Sequence, residues 1–380
     1  MANTLTALIP DLYAALDVVS RELVGMIPGV TRDATADRAA VGQSVRVDVA
    51  PAAAAADIVP AVNAPDTGDQ IFTNKDIQIT KSRAVPFRWN GEQTLGVNNN
   101  GPGSLSMRQQ QIAQAFRTLT NEVETDLCAL SATFSRAAGA AGTTPFATAG
   151  NFTDASLLAK ILKDNGAPGV GNRMVIDTTA GANLIGFQSR MDIAGQDTML
   201  RQGVLLDTAG FAISESAQVV EATKGTGTSY TTDTAGYAVG DTVITLITGA
   251  DTVVAGDAVT FVGDTNKYIV TTGVAAPGVI TLAAPGLRVA ITTSATAMTI
   301  GADATQNMGF APSAIVLASR MPALPDGGDS ADDRMMVTDP RSGLSFELAV
   351  YRQYRQVHYE LGLSWGVKNI KPEHTALLLG

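Results

Sequence analysis

Apolar residues recur at threes and fours in two long stretches of the chain. From 5 to 27, Leu5, Leu8, Ile9, Leu12, Leu16, Val19 and Leu23 fall on one face, and Pro28 and Gly29 close the run, which predicts an amphipathic N-terminal helix. The second stretch opens after Gly101, Pro102 and Gly103, with Ser104 or Ser106 placed to cap it. Leu105, Ile112, Phe116, Leu119, Val123, Leu127, Leu130 and Phe134 then mark a narrow apolar stripe, until "RAAGAAG" stops the pattern. At 1.5 Å per residue this predicts a rod about 50 Å long, a spine on which other units hang.

Between these helices the period changes to two. "SVRVDVAP" and "DIQITKSRAVPFRWN" alternate like strands, and "AAAAADIVPAVNAPDTGD" between them offers Pro, Gly and Ala but little to pack. The pattern predicts a two-stranded ribbon with an irregular tip, part of it confined to an edge by Pro86. Such a ribbon is marginal alone in water, so something outside the chain's own core must support it.

Beyond the spine, "DASLLAKILKDNGA" predicts a helix, "NRMVID" a strand, "TTAGANLIGF" a helix and "GFAISES" a strand, an α/β or α+β unit. From about 222 to 304 the chain turns to Thr, Val, Gly and Ala, with short alternating runs between turn signals. This predicts a small β-barrel or sandwich with its own core, drawn from Val243, Leu246, Val253, Val259, Phe261, Tyr268, Val270, Val279, Ile280, Leu282, Val289 and Ile291. It lies between "FAISES" and "APSAIVLAS", two apolar runs expected to share one sheet, and so reads as an insertion. The remainder predicts one or two long strands that turn at "DPRSG", with a break at Gly366.

Composition narrows the function. At 380 residues, 45% hydrophobic and 16% charged, the chain is globular with room for several subdomains. A net charge of −10 argues against a surface that grips nucleic acid strongly, and leaves only local basic patches, for which Arg32, Arg38, Arg108 and Arg117 are the candidates. "MANTLTALIPDLYAALDVVSREL" has no basic n-region and carries Asp11 and Asp17, unlike a secretory signal. A single cysteine, Cys128, excludes an intrachain disulfide and reads as a buried core thiol.

The candidate chemistry is thin. "NGAPGVGNR" follows a helix and precedes a strand, the wrong order for a phosphate loop, and reads as a turn. "DGGDSADD" clusters Asp326, Asp329, Asp332 and Asp333 without the spacing or closing Glu of a calcium loop, and reads as a solvated acidic loop with weak cation binding left open. His358 and His374 have no second ligand at metal spacing, so no metal, cofactor or catalytic residue is assigned. Lys75 and Lys81 read as solubilising edge lysines rather than cross-linking groups.

The order of parts, with the segments "GVLLDTAGFAISESAQV", "NMGFAPSAIVLASRMP" and "DPRSGLSFELAVYRQYRQVHYELGLSWGVKNIKPEHTALLL", resembles the P22 coat protein family of tailed-phage major capsid proteins. The resemblance implies an α+β, HK97-like capsid fold with an N-arm (1–43), E-loop (44–100), spine helix (101–149) and A-domain (150–222 and 305–333). An inserted β domain (223–304), and P-domain strands with a tail (334–380), complete it. It also implies a non-enzymatic coat protein of a double-stranded DNA bacteriophage, assembled in the host cytoplasm into hexamers and pentamers of an icosahedral shell. The implied partners are other copies of itself, a portal protein and packaged DNA held by non-specific contacts, with a decoration protein left open. Because Met1 leads directly into the arm helix, a separate scaffolding protein is expected. The rival reading is a β-rich surface or adhesion protein, against which the lack of an export signal counts.

Overall fold

The computed structural model describes residues 24–49, 55, 57–60, 62, 73–100, 104–147, 152–188, 209–339 and 342–380. Most of the expected 5–27 helix and most of the ribbon tip lie outside these residues. At the end of the former, a 3-10 turn spans Ile27–Gly29. In chain order the elements are β1 (Thr31–Ala39), β2 (Ser44–Val49), β3 (Thr73–Gln78), β4 (Lys81–Asn90), α1 (Gly91–Asn100), α2 (Ser104–Cys128), β5 (Arg136–Gly139), α3 (Thr153–Asp164), β6 (Asn172–Ile176), α4 (Thr178–Gln188), β7 (Phe211–Glu215) and β8 (Glu221–Ala222). There follow β9 (Thr228–Thr232), β10 (Val243–Ala250), β11 (Ala258–Phe261), β12 (Lys267–Thr272), β13 (Val279–Leu282), β14 (Ala297–Ile300), β15 (Ala304–Phe310), β16 (Ile315–Pro322), β17 (Asp333–Thr338), β18 (Ser345–Gln353), β19 (Gln356–Asn369) and β20 (Thr375–Leu379). This is a mixed α+β chain with few helices and many strands.

The long closing strand β19 organises the first sheet. β4 runs antiparallel along one edge of it, while β18 and then β16 share the other, and β17 and β1 extend the sheet at its two ends. The spine α2 lies on this sheet because Ile112, Phe116, Leu119, Val123 and Leu127 recur on one face, and all five are buried. Phe116 meets Phe346 of β18 edge-on at 4.9 Å.

Two expectations change here. The α-helix stops at Cys128, giving a rod of about 38 Å, and the apolar rhythm that continues to Phe134 belongs to a 3-10 segment, Ala129–Thr133, and an extended residue after it. Phe134 turns away to pack on Phe310 across 6.5 Å, which delivers the chain into β5. Gly366 does not break the closing strand. It lies inside β19 because the carbonyl of Gln78, at the base of the ribbon, occupies the space a side chain would need.

β5, β20, β15, β6 and β7 form a second sheet, with β5–β20 and β6–β7 parallel and the other pairs antiparallel. α3 packs on it through Ala155, Leu158, Ile161 and Leu162 against Met174, Ile176 and Leu378. Gly309 is required in β15 because Leu158 fills the place of its side chain. "FAISES" and "AIVLAS" do not share this sheet, as the sequence led us to expect. A 3-10 turn at Pro312–Ala314 passes the chain from β15 in the second sheet to β16 in the first. β16, grouped by sequence with 305–333, therefore sits beside the closing strand.

The segment after β8 forms a closed six-stranded barrel, β9-β10-β13-β12-β11-β14 and back to β9. Its core contains Leu246, Val253, Val259, Phe261, Tyr268, Val270, Ile280, Leu282 and Ile291 as expected, with Tyr230, Ile244, Leu287 and Met298 in addition. Val243, Val279 and Val289 are instead exposed. Period-two parity explains the first two: Leu246 and Leu282 point inward, so their partners are Ile244 and Ile280, and the adjacent valines face out. The barrel is not isolated. β12 pairs with β5 at Lys267–Ala137 and Tyr268–Arg136, and buried Arg136 donates to Asn266 at 2.8 Å and to Asn165 at 3.2 Å. Ala222 and Ala304, on either side of the segment, are cross-strand partners of β8 and β15.

Candidate assembly and nucleic-acid surfaces

β2 and β3 pair over six residues each and form a sheet with no third strand among the described residues. At the described positions of the connecting tip, Ile58 is 97% exposed, and Val59 and Val62 are also open to solvent. Such a cluster of unburied aliphatic side chains beside Asp57 gains free energy only when another surface covers it. Lys81, at the foot of β4, is held within the chain by Asp126 at 2.7 Å. Lys75 lies on β3.

The four candidate arginines do not form one patch. Arg32 donates to the Ser342 carbonyl. Arg38 forms a two-pronged pair with Glu347 at 2.9 and 2.5 Å and donates to the Pro322 carbonyl at 2.7 Å. Arg108 donates to the Tyr359 hydroxyl at 3.1 Å and lies 5.9 Å from that ring's centre. Arg117 is exposed on α2. Glu347 also accepts from Arg334 at 3.2 Å, so Arg38 belongs to a network joining β1, β17 and β18.

α1 was not expected from the apolar pattern, and the structure shows why. Leu95 is 63% exposed, and the helix is held mainly by a reciprocal cap in which Gln93 N donates to Asn90 Oδ1 at 2.7 Å and Asn90 N donates to Gln93 Oε1 at 3.2 Å. "NGEQ" carried that signal in the sequence. A cavity of about 630 Å³ lies beside α1, lined by Trp89, Leu95, Arg108, Arg352, Arg355 and Tyr359 among others, and a second of about 440 Å³ is lined by Arg88, Trp89 and Met107.

The remaining sequence candidates serve local structure. Asp329 of the acidic loop pairs with Arg334 and accepts from the Tyr351 hydroxyl at 2.8 Å, and Asp332 accepts from the Arg352 backbone N–H at 2.6 Å. The Arg334 guanidinium holds the Asp329 carboxyl down at about 2. No cluster of three or more metal-ligating side chains occurs among the described residues. Cys128 is buried, and burial, reinforced by the Glu124 carboxylate, pushes its thiol far above the reactive range. Glu124 itself accepts from the N–H groups of Gly25, Met26 and Ile27 at 2.7 to 3.0 Å, and burial raises its carboxyl despite these donors. His358 lies 3.8 Å from Glu360, and burial lowers His374. No described helix is long and apolar enough to cross a membrane.

Against solved structures, the chain overlays on one from the capsid of the cyanophage P-SCSP1u with a TM-score of 0.52 and 13% identity, over 94% of this chain and 88% of that one. The fold is that of this capsid chain. More distant overlays are with a chain of Mycobacterium phage Che8 (TM-score 0.45, 12% identity, 89% and 84% covered) and a chain from the capsid of a native GTA particle (TM-score 0.46, 8% identity, 94% and 90% covered). No family model matches the chain, and no curated protein matches it.

Proposed function

We propose that the chain is the major capsid protein of a tailed double-stranded DNA bacteriophage, and that it self-assembles into an icosahedral shell around the genome. The observation that carries this reading is the likeness of fold to the cyanophage capsid chain over nearly the whole length of both. The ribbon supports it, because Ile58, Val59 and Val62 stand uncovered at its tip and a second copy is the simplest cover. The adhesion reading has no such support.

The finer assignments belong to the same proposal. We read the arrangement as HK97-like and P22 coat-like, with 1–43 as N-arm, 44–100 as E-loop, α2 with the β19 sheet as P-domain, the second sheet as A-domain and 223–304 as an insertion. The cross-strand pairing of Ala222 with Ala304 favours that insertion, since a domain inserted into another needs its ends close together. Hexamers and pentamers, a separate scaffolding protein, a portal protein and non-specifically held DNA complete the account, which needs no catalytic step. Sedimentation velocity of the purified chain tests it. Large closed particles formed alone or with scaffolding protein are expected, and a chain that stays monomeric under every assembly condition contradicts the proposal.

A further inference from the structure

The β18–β19 hairpin closes through two residues, Tyr354 and Arg355, between the cross-strand partners Gln353 and Gln356. Neither residue suits its position. Arg355 has a φ of 56°, in the left-handed region that Gly adopts at least cost. Tyr354 is 86% exposed and is the one aromatic ring open to solvent among the described residues. The Arg355 guanidinium lies over that ring at 5.5 Å, and among the described residues no carboxylate pairs with it. A strained turn therefore displays Tyr and Arg, two of the side chains most enriched as anchors of protein–protein contacts.

The same end of the first sheet carries the opposite charge. The acidic loop is docked beside β18 by Asp332, whose backbone N–H donates to the Val350 carbonyl at 2.8 Å and whose carboxylate accepts from the Arg352 N–H at 2.6 Å. Within this loop Asp329 is paired with Arg334, but Asp326 is exposed and has no cation partner among the described residues. The sheet order places the loop on the β17 flank. Arg355 instead lines the cavity on the β4 flank, where its carbonyl accepts from Gly91 N at 3.2 Å. Cation and anion thus stand on opposite flanks of one sheet end and do not meet within the chain. We infer that they meet between chains: the Tyr354–Arg355 turn of one copy seats against the Asp326 loop of the next. The two surfaces differ, so the contact is head-to-tail and closes a ring rather than a two-fold pair. Their charges fix which flank meets which. This names a contact for the self-assembly proposed above and rests on that reading.

The test uses the full chain with cysteines at the two exposed positions. Cys128 is buried and its thiol lies far above the reactive range, so a short bismaleimide reports only the new thiols. R355C/D326C is expected to give a ladder of covalent dimers, trimers and higher species on a denaturing gel, because each copy offers a different surface to each neighbour. R355C alone and D326C alone are expected to give none. The inference is overturned if the double variant gives no ladder, or if R355C alone gives dimers, which would make the turn meet itself. A second variant separates contact from fold. R355G fits the left-handed turn without strain, so the unassembled chain is expected to melt no lower than wild type, while the critical concentration for assembly rises about fivefold. A lower melting temperature overturns the strain argument, and unchanged assembly overturns the contact. Particle formation is scored separately by sedimentation. Particles without a ladder reject this inference alone, a ladder without particles rejects the shell reading alone, and the absence of both rejects both.

Discussion

The indole Nε1 of Trp365 donates to Asp126 Oδ2 at 2.8 Å, and Lys81 Nζ pairs with the other oxygen of the same carboxylate at 2.7 Å. Asp126 lies on the spine helix, Trp365 on the closing strand and Lys81 at the start of the strand that leads out of the ribbon. One side chain therefore joins the spine helix, the closing strand and the foot of the ribbon. Trp365 is fully buried, so its N–H has no access to water if the carboxylate is lost.

Asp126→Ala is expected to destabilise the chain by about 2 kcal/mol, mostly through the unsatisfied indole. Asp126→Asn keeps an acceptor for Trp365 and is expected to cost less than half as much. Urea denaturation followed by tryptophan fluorescence measures both. Equal losses for Ala and Asn would show that the Lys81 charge pair, not the indole bond, is what matters.

The Asp329 carboxyl sits at about 2 rather than its ordinary 3.8, chiefly because of Arg334. A depressed carboxyl contributes stability that is fully present above the unfolded value and is lost as pH falls through the folded one. The tie between the acidic loop and the β17–β18 pair should therefore hold at neutral pH and fade between about pH 4 and pH 2. Comparing the acid limbs of wild type and Asp329→Asn tests this: the variant is expected to lose that part of the pH dependence, and superimposable limbs would refute the assignment.

Residues 223–304 expressed alone are expected to give dispersed amide resonances and cooperative melting, because the barrel closes on itself around a continuous core. Their replacement by a short Gly/Ser linker from Ala222 to Ala304 is expected to leave a foldable subunit that is less stable and impaired in assembly, since the Arg136 and β5 contacts are lost. An unfolded isolated segment would show that those contacts are essential to the barrel.

What was legible in the sequence follows physical range. The spine, the ribbon, the barrel and the closing strands were visible because each repeats its pattern over many neighbouring residues. The inward parity of Ile244 was also local, but adjacent Val243 was taken in its place, and Val279 was counted alongside Ile280 although only Ile280 faces inward. Features set by distant contacts left no such trace. The pairing of Arg38 with Glu347, far apart in the chain, could not be read locally, and β1, a polar run, became a strand only because β16 lies beside it. The cavity beside α1 is lined from three segments, Trp89 to Asn98, Arg108 and Arg352 to Tyr359, and so left no local signature.

Amide exchange over 50–75 is expected to be fast in the unassembled chain and slow in particles, because Ile58, Val59 and Val62 of the tip are uncovered, whereas the base of the ribbon is held by Ile77 in the chain's own core. Equal protection in the two states would mean that the ribbon needs no neighbour.

The central claim, that this chain builds a shell, is tested most directly by negative-stain electron microscopy of the purified protein under assembly conditions. Closed shells or tubes of regular subunits are predicted. A field of dispersed particles, with and without a scaffolding protein, would contradict the account.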